Sequence, residues 1–233
     1  MFRQLFDPVS STYTYLLACD RSREAVLIDP VMEQRERDLA LLGELRLAPR
    51  WLLDTHVHAD HVTSVSKLKQ ALPPGAQPTI AVGLACEADG YEYPLIDGER
   101  LVFGDEYLEV IATPGHTPGS MSFLWRDRIF TGDALLIGGC GRTDFQGGDP
   151  GHLYDAITQR LFTLPGETLV YPGHDYRGRR VSCIAEERET NARLAGKTRE
   201  EFVALMGALN LPRPKLIDIA VPANKQAGAL IQG

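Results

Sequence analysis

Apolar positions over the first 180 residues fall in short runs closed by Gly, Pro, Asp or Thr, not in long helical stripes. The runs "TYTYLLAC", "EAVLIDP", "RWLLDT", "PTIAVG", "RLVFGD", "EYLEVIATP", "SMSFLW", "RIFTGDAL" and "TLVYPGH" are alternating or continuously apolar between turn residues. That pattern predicts strands. Helical spacing interrupts them. Residues 33–47, "EQRERDLALLGELRL", place Leu39, Leu42 and Leu45 on one face with charges opposite. Residues 62–72 and 152–163 read similarly, the latter opened by "GDPG", a turn and helix-start signal. Strands followed by helices, twice over, predict an α/β chain with two sheets and helices outside them. Beyond about residue 180 the pattern turns helical in "CIAEERETNARLAG" and "TREEFVALMGALN", then reaches the proline-punctuated tail "LPRPKLIDIAVPANKQAG". The expected organisation is a single domain over residues 1–233. Its core covers about 10–180, and a helical and extended C-terminal segment covers about 181–233.

Composition narrows the function classes. With 233 residues, 44% hydrophobic and 24% charged, the chain can bury a sizeable core. The net charge is −7 and no block of Lys or Arg stands out, which argues against a nucleic-acid partner. No apolar stretch approaches membrane-spanning length. The N-terminal "MFRQLFDPVSSTYTYLLACD" lacks the features of a secretory or transit peptide, so a cytoplasmic location is expected. Cys19, Cys86, Cys140 and Cys183 are scattered and form no CxxC pair, as expected of reduced thiols. A homodimer is compatible with all of this; nothing in the sequence selects it.

The chemistry concentrates in "THVHADH", residues 55–61, directly after the strand-like "WLLD". His56, His58, Asp60 and His61 fall within six positions. Three further metal-ligand types occupy equivalent strand-end settings: His116 in "ATPGHTPGS", Asp133 in "RIFTGD" and His174 in "LVYPG". Ligands repeatedly placed at strand ends converge on one edge of a sheet, where a site is rigid and open to substrate. Burying so many polar groups without a partner would be costly. His152 in "GDPGHLYD", by contrast, reads as an exposed helix start. A closed structural zinc site typically uses cysteine, and no cysteine here has a ligand-like neighbour, so the cluster reads as a catalytic metal site.

With these residues assembled, the chain resembles the metallo-β-lactamase family, whose fold is an αββα four-layer sandwich, over roughly residues 10–180. The resemblance implies His56, His58 and His116 around a first ion, Asp60, His61 and His174 around a second, and Asp133 bridging them. On ligand number alone this suits a two-metal hydrolase such as glyoxalase II. The flanking segments "GGCGRTDFQGGDPGHLYDAI", "YPGHDYRG" and "VPANKQAG" instead resemble the persulfide dioxygenase branch, over almost the full chain. That branch implies a single Fe(II) per chain on His56, His116 and Asp133. It also implies glutathione persulfide and O2 as substrates, and sulfite and glutathione as products. Two imidazoles and one carboxylate leave coordination positions open, the pattern suited to non-haem iron. His58, Asp60, His61 and His174 would then orient ligands and water, or hold the second metal of the hydrolase alternative. A non-catalytic persulfide carrier is the remaining rival.

Glutathione carries two carboxylates, so its site should offer fixed donors. Arg142 in "GGCGRTDF" is the expected clamp, because guanidinium grips a carboxylate through two bonds. By resemblance to glyoxalase II, Tyr176 is a further glutathione contact. Asp144 is expected to orient Arg142, and Lys225 in "PANKQAG" is a weaker substrate contact. Cys140 is read as inert packing. The "GG" and "GxG" occurrences lack dinucleotide-binding spacing and read as turns.

Overall fold

The computed structural model describes residues 1–229. The first sheet holds β1 (Phe2–Asp7), β2 (Thr12–Ala18), β3 (Glu24–Ile28), β4 (Ala48–Leu53), β5 (Thr79–Gly83) and β6 (Tyr93–Leu95), in that spatial order. β1, β2 and β3 pair antiparallel, and β3 through β6 run parallel. The chain continues through β7 (Arg100–Phe103), β8 (Glu106–Ala112), β9 (Met121–Trp125) and β10 (Arg128–Gly132), then a small hairpin of β11 (Leu135–Leu136) and β12 (Gly139–Cys140). β13 (Leu169–Pro172) and β14 (Ser182–Cys183) complete a second sheet of order β14-β13-β10-β9-β8-β7. All nine strands expected from the apolar runs are present. β1 and the short β6, β11, β12 and β14 add to them.

The period-two alternation of strand side chains sets the layers. On β2, Tyr13, Tyr15 and Leu17 point between the sheets and meet Phe103, Val110, Phe123 and Phe130 of the second sheet. Leu16 and Ala18 point the other way, with Leu27 and Leu52, and are covered by α1 (Arg35–Glu44) and α2 (Val65–Ala71) through Leu42, Val65 and Leu68. The outer face of the second sheet packs Ile129 and Val170 against Leu153 of α3 (Pro150–Ala156), Ile184 of α4 (Ile184–Thr190), and Phe202 and Met206 of α5 (Arg199–Gly207). Each of these large side chains contributes about 1.5–3 kcal/mol of burial. The result is the expected αββα sandwich.

Local signals fix the helix starts. Asp149 accepts from the His152 backbone N–H at 2.8 Å with Pro150 at the first turn, as "GDPG" predicted. Thr198 and Glu201 form a reciprocal capping box on α5. The helix expected at 152–163 is α3 continued by a π-helical turn over Ile157–Leu161. The C-terminal tail differs from the extended segment expected. Residues Ile217–Lys225 form α6, with Pro222 inside it. An interior proline removes a helix hydrogen bond, but burial of Ala220, Ala223 and Asn224 holds the helix against Val62. The four cysteines are free thiols. Among the described residues no helix is long and apolar enough to cross a membrane.

Candidate metal centre

The sheet edges bring the sequence-selected ligands together. β4 runs into Asp54–His61, β8 into the turn carrying His116, β10 into Asp133 and β13 into His174. A register shift where β10 meets β13, between Phe130 and Gly132, lies immediately before Asp133. Such irregularities re-aim a strand end. Two glycines permit the close approach. A Cβ on Gly141 would lie 2.2 Å from the Asp133 carbonyl oxygen and 2.9 Å from the His116 ring. Gly115, at φ +133°, leaves no room for a Cβ against Leu153 of α3.

His56, His116 and Asp133 form one group whose ligand atoms all lie within 4.8 Å of one another. Each imidazole is oriented through its other nitrogen. His56 Nδ1 lies 2.9 Å from Thr55 Oγ1, and His116 Nδ1 lies 2.7 Å from the Arg142 carbonyl oxygen. This leaves Nε2 of both rings for the centre, the arrangement by which metal-binding histidines are held in one tautomer. Burial, with His58 and His116 close by, holds the His56 ring well below its ordinary pKa, so it is a neutral donor. Burial alone would raise the Asp133 carboxyl. The His174, His116 and His56 rings outweigh it and keep the group far into the carboxylate form. The residue types and their convergence fit a metal ion.

His58, Asp60 and His61 form a second cluster, and His58 also groups with Asp29 and Asp54. His58 Nε2 lies 3.1 Å from Asp29 Oδ1. Burial opposes its charge, but Asp29, Asp54 and Asp60 overcome that and raise its pKa to about 9. Asp29 also accepts from the Thr55 N–H and hydroxyl, while Asp54 accepts from Thr63 and Tyr91. His174 is engaged at both nitrogens: Nδ1 is 2.6 Å from Asp133 Oδ1, and Nε2 is 2.9 Å from Asp60 Oδ2 and 3.0 Å from Thr12 Oγ1. His58 Nδ1 and His61 Nε2 are buried without a partner among the described residues.

A cavity of about 480 Å³ opens over this cluster, lined by Asp60, His116, Asp133 and His174 together with Arg142, Tyr176 and Arg193. The Tyr176 ring stacks on His174 at 6.0 Å and 8°. Arg142 reaches the cavity, but Nε and Nη2 each lie 2.6 Å from an oxygen of Asp144, and Nη1 donates to the Pro212 carbonyl at 2.7 Å. Asp144 therefore holds Arg142. The fork expected to grip a substrate carboxylate is turned to Asp144 and the Leu211–Pro212 carbonyls. Lys225 lies elsewhere, on the wall of a separate cavity of about 380 Å³ with Val57, Cys86 and Gln146. Cys140 is buried at the hairpin and its thiol is pushed up to about 11 by burial, in keeping with inert packing.

Sequence reasoning passed over several residues that shape the centre. Asp29 directly follows β3 in "LIDP", a strand-end acid of the same kind as Asp54, and could have been found by that rule. Thr12 carries no such signal. Asn224, one position before the Lys225 singled out, is fully buried and donates to the carbonyls of His58 at 2.9 Å and His61 at 2.8 Å.

Known proteins share this architecture. The family model of the metallo-beta-lactamase superfamily matches residues 7–174. Human "Persulfide dioxygenase ETHE1, mitochondrial" is 51% identical over 230 residues, covering 98% of this chain and 89% of that protein. The crystal structure of ETHE1 from Myxococcus xanthus matches with a TM-score of 0.94 at 54% identity, covering 98% of this chain and 99% of that one. A hydroxyacylglutathione hydrolase from Anaeromyxobacter dehalogenans is 39% identical over 166 residues, 70% of this chain and 61% of its own length. At about half identity along almost the whole chain, the protein belongs to the persulfide dioxygenase family of the metallo-beta-lactamase superfamily.

Proposed function

We propose that this protein oxidises glutathione persulfide with dioxygen and water to sulfite and glutathione, with one Fe(II) per chain held by His56, His116 and Asp133. The reaction balances as persulfide, O2 and water giving thiol, sulfite and two protons. The outer sulfur gains three oxygens, the S–S bond breaks and dioxygen is the oxidant. Full-length identity to persulfide dioxygenases supports the reaction. The observation that carries the mononuclear site is His174, both of whose nitrogens already face carboxylates at 2.6 and 2.9 Å. A second ion would have to displace one of them.

Two imidazoles and a carboxylate suit Fe(II), which when bound supplies open positions where dioxygen and a sulfur donor meet and exchange electrons. The protein's own groups prepare that place. Thr55 and the Arg142 carbonyl fix the His56 and His116 rings, and His174 fixes Asp133. Asp60, held by His61 and His174, presents a carboxylate to water at the cavity floor. The Tyr176 ring, stacked on His174, forms a wall against which the thiol carrier lies. Arg142, braced by Asp144, fixes the Leu211–Pro214 wall and keeps its charge beside the entering substrate.

A second reading, a binuclear thioester hydrolase, has one observation in its favour. The unpartnered His58 Nδ1 and His61 Nε2 are atoms that a second ion would satisfy. Oxygen uptake and sulfite formation on glutathione persulfide, measured beside hydrolysis of a glutathione thioester, separate the two. Thioesterase activity without oxygen uptake overturns the proposal.

A further inference from the structure

One buried hydroxyl touches three of the four candidate ligands that the single-ion reading leaves outside the iron. Thr12, fully buried at the start of β2, has Oγ1 3.0 Å from His174 Nε2, 3.3 Å from His61 Nδ1 and 3.4 Å from Asp60 Oδ2. Its fourth neighbour decides what it does there. Ser10 Oγ lies 2.7 Å from Thr12 Oγ1 and 2.7 Å from Asp7 Oδ2. Asp7 is buried; its Oδ2 also accepts from the Ser10 N–H at 2.7 Å, and its Oδ1 accepts from Gln34 Nε2 at 2.8 Å. Burial alone would raise this carboxyl. The bonds from Ser10 and Gln34, with the nearby His61, outweigh it, so Asp7 is a carboxylate and only accepts. A hydroxyl has a single proton to give. Ser10 gives its own to Asp7, so the bond between Ser10 and Thr12 carries the Thr12 proton, and none is left for Asp60 or for a histidine. We infer that Thr12 is a positioning residue of the metal centre: made an acceptor by Asp7 through Ser10, it receives the Nε2–H of His174 and the Nδ1–H of His61, and so keeps these rings and Asp60 engaged with one another rather than with a second ion.

The direction of donation carries through to the ligands. Asp133 Oδ1, a carboxylate oxygen, lies 2.6 Å from His174 Nδ1, so that nitrogen donates as well. A ring that donates from both nitrogens offers no lone pair to an ion. It also holds Asp133 Oδ1 in one place, and Oδ2, 3.8 Å from His116 Nε2, is the oxygen left for the first ion. Asp60 Oδ2 is drawn in by both rings, 2.9 Å from His174 Nε2 and 3.0 Å from His61 Nδ1. The backbone keeps the Thr12 hydroxyl where it is. Thr12 and His174 face each other across an isolated antiparallel bridge, and the Tyr13 N–H donates to the Gly173 carbonyl at 2.8 Å. The turn from β1 to β2 is thereby fastened to the end of β13, while Gln34, at the N-terminal cap position of α1, fastens Asp7 from the other side. Groups behind the ligands orient them and tune what they bind. Here that outer chain, Gln34 to Asp7 to Ser10 to Thr12, sets how many ions the donor set accepts.

This inference rests on the single-ion reading of the site, and its test keeps the two apart. The full-length protein is loaded with one equivalent of Zn(II), which takes the same nitrogen and oxygen donors, and is titrated calorimetrically with further Zn(II). Histidine 15N spectra are recorded on the one-ion samples. The parent should bind a second ion weakly, with His174 protonated at both nitrogens and His61 in its Nδ1–H form. Thr12→Val keeps the shape of the side chain and removes the hydroxyl. Its second-ion Kd should fall about ten- to a hundredfold with the first ion retained, and the His61 and His174 signals should move. Thr12→Ser should return both readouts to parental values. Ser10→Ala frees the Thr12 proton for Asp60, and should shift both readouts the same way as Thr12→Val by a smaller amount. An unchanged second-ion Kd in Thr12→Val overturns the assignment. Loss of the first ion with no gain of a second also overturns it, since Thr12 would then only support the packing. Should Thr12→Val not fold, Ser10→Ala decides in its place, with unchanged signals overturning the relay. A parent that binds two ions equally tightly defeats the single-ion reading, and the histidine spectra still decide Thr12: signals unmoved in Thr12→Val remove its role.

Discussion

Replacing Asn224 with alanine removes one side chain that holds three backbone groups of the ligand loop. Its Nδ2 donates to the carbonyls of His58 at 2.9 Å and His61 at 2.8 Å, and its Oδ1 accepts from the Thr63 N–H at 2.9 Å. The residue is fully buried on α6, more than 160 positions from that loop. A buried backbone group left without a partner costs about 1–3 kcal/mol, so three set a ceiling of about 9 kcal/mol. Water entering the vacated space restores part of this, and we expect about 3 kcal/mol. For a chain of this length each kcal/mol moves Tm by about 2–4 °C, so the metal-free variant should melt about 6–12 °C below the parent. The loop also carries the ring positions around the centre, and loss of such supporting bonds lowers metal affinity about tenfold or more. Asn224→Asp keeps the acceptor but turns an oxygen toward two carbonyls, and should be at least as damaging. Thermal unfolding of both forms, with metal affinity from chelator competition, checks this. A Tm within about 2 °C of the parent and an unchanged affinity would refute the clamp.

Other outcomes follow from the same geometry. His116→Ala and Asp133→Ala should abolish iron binding, whereas His174→Ala should retain most of it; equal loss in all three, measured by metal analysis, would make His174 a ligand. Arg142→Ala should raise the KM for glutathione persulfide with iron content unchanged, because it frees the Leu211–Pro212 wall and removes a charge from the cavity; an unchanged KM would reduce Arg142 to an ordinary loop charge. Asp38 is buried with Oδ2 unpartnered, and burial, opposed by Arg37, pushes its carboxyl up to about 6. Its folded pKa lies above the unfolded one, so the native state holds the proton more tightly. Its contribution is complete below pH ~4 and lost as pH rises through ~6, up to about 3 kcal/mol. Asp38→Asn should therefore lose less stability than the parent between those pH values in denaturant titrations, and parallel curves would contradict this.

The strands were legible because each apolar run is closed by turn residues, and the convergence of the candidate ligands because each follows such a run. β1, "FRQLFD", was not, since its charged and apolar residues suit an edge strand only once β2 is beside it. α6 was hidden by Pro222, which local pattern reads as a break and which tertiary packing overrides. The chemistry of the centre was legible in residue types; the division of labour was not. Whether His174 is a ligand or a tether depends on what Asp60 and Asp133 do with its nitrogens, and where Arg142 turns its fork depends on carbonyls from a distant segment. Those are long-range contacts with no local signature. A side chain such as Asn224, acting on the backbone of another element, leaves no spacing to read.

Anaerobic reconstitution of the metal-free protein with Fe(II), followed by oxygen uptake and sulfite formation on glutathione persulfide, tests the central claim most directly. Activity should rise linearly with iron and saturate at about one ion per chain, with one O2 consumed per sulfite formed. Saturation at two ions per chain, or turnover of a glutathione thioester with no oxygen uptake, would contradict it.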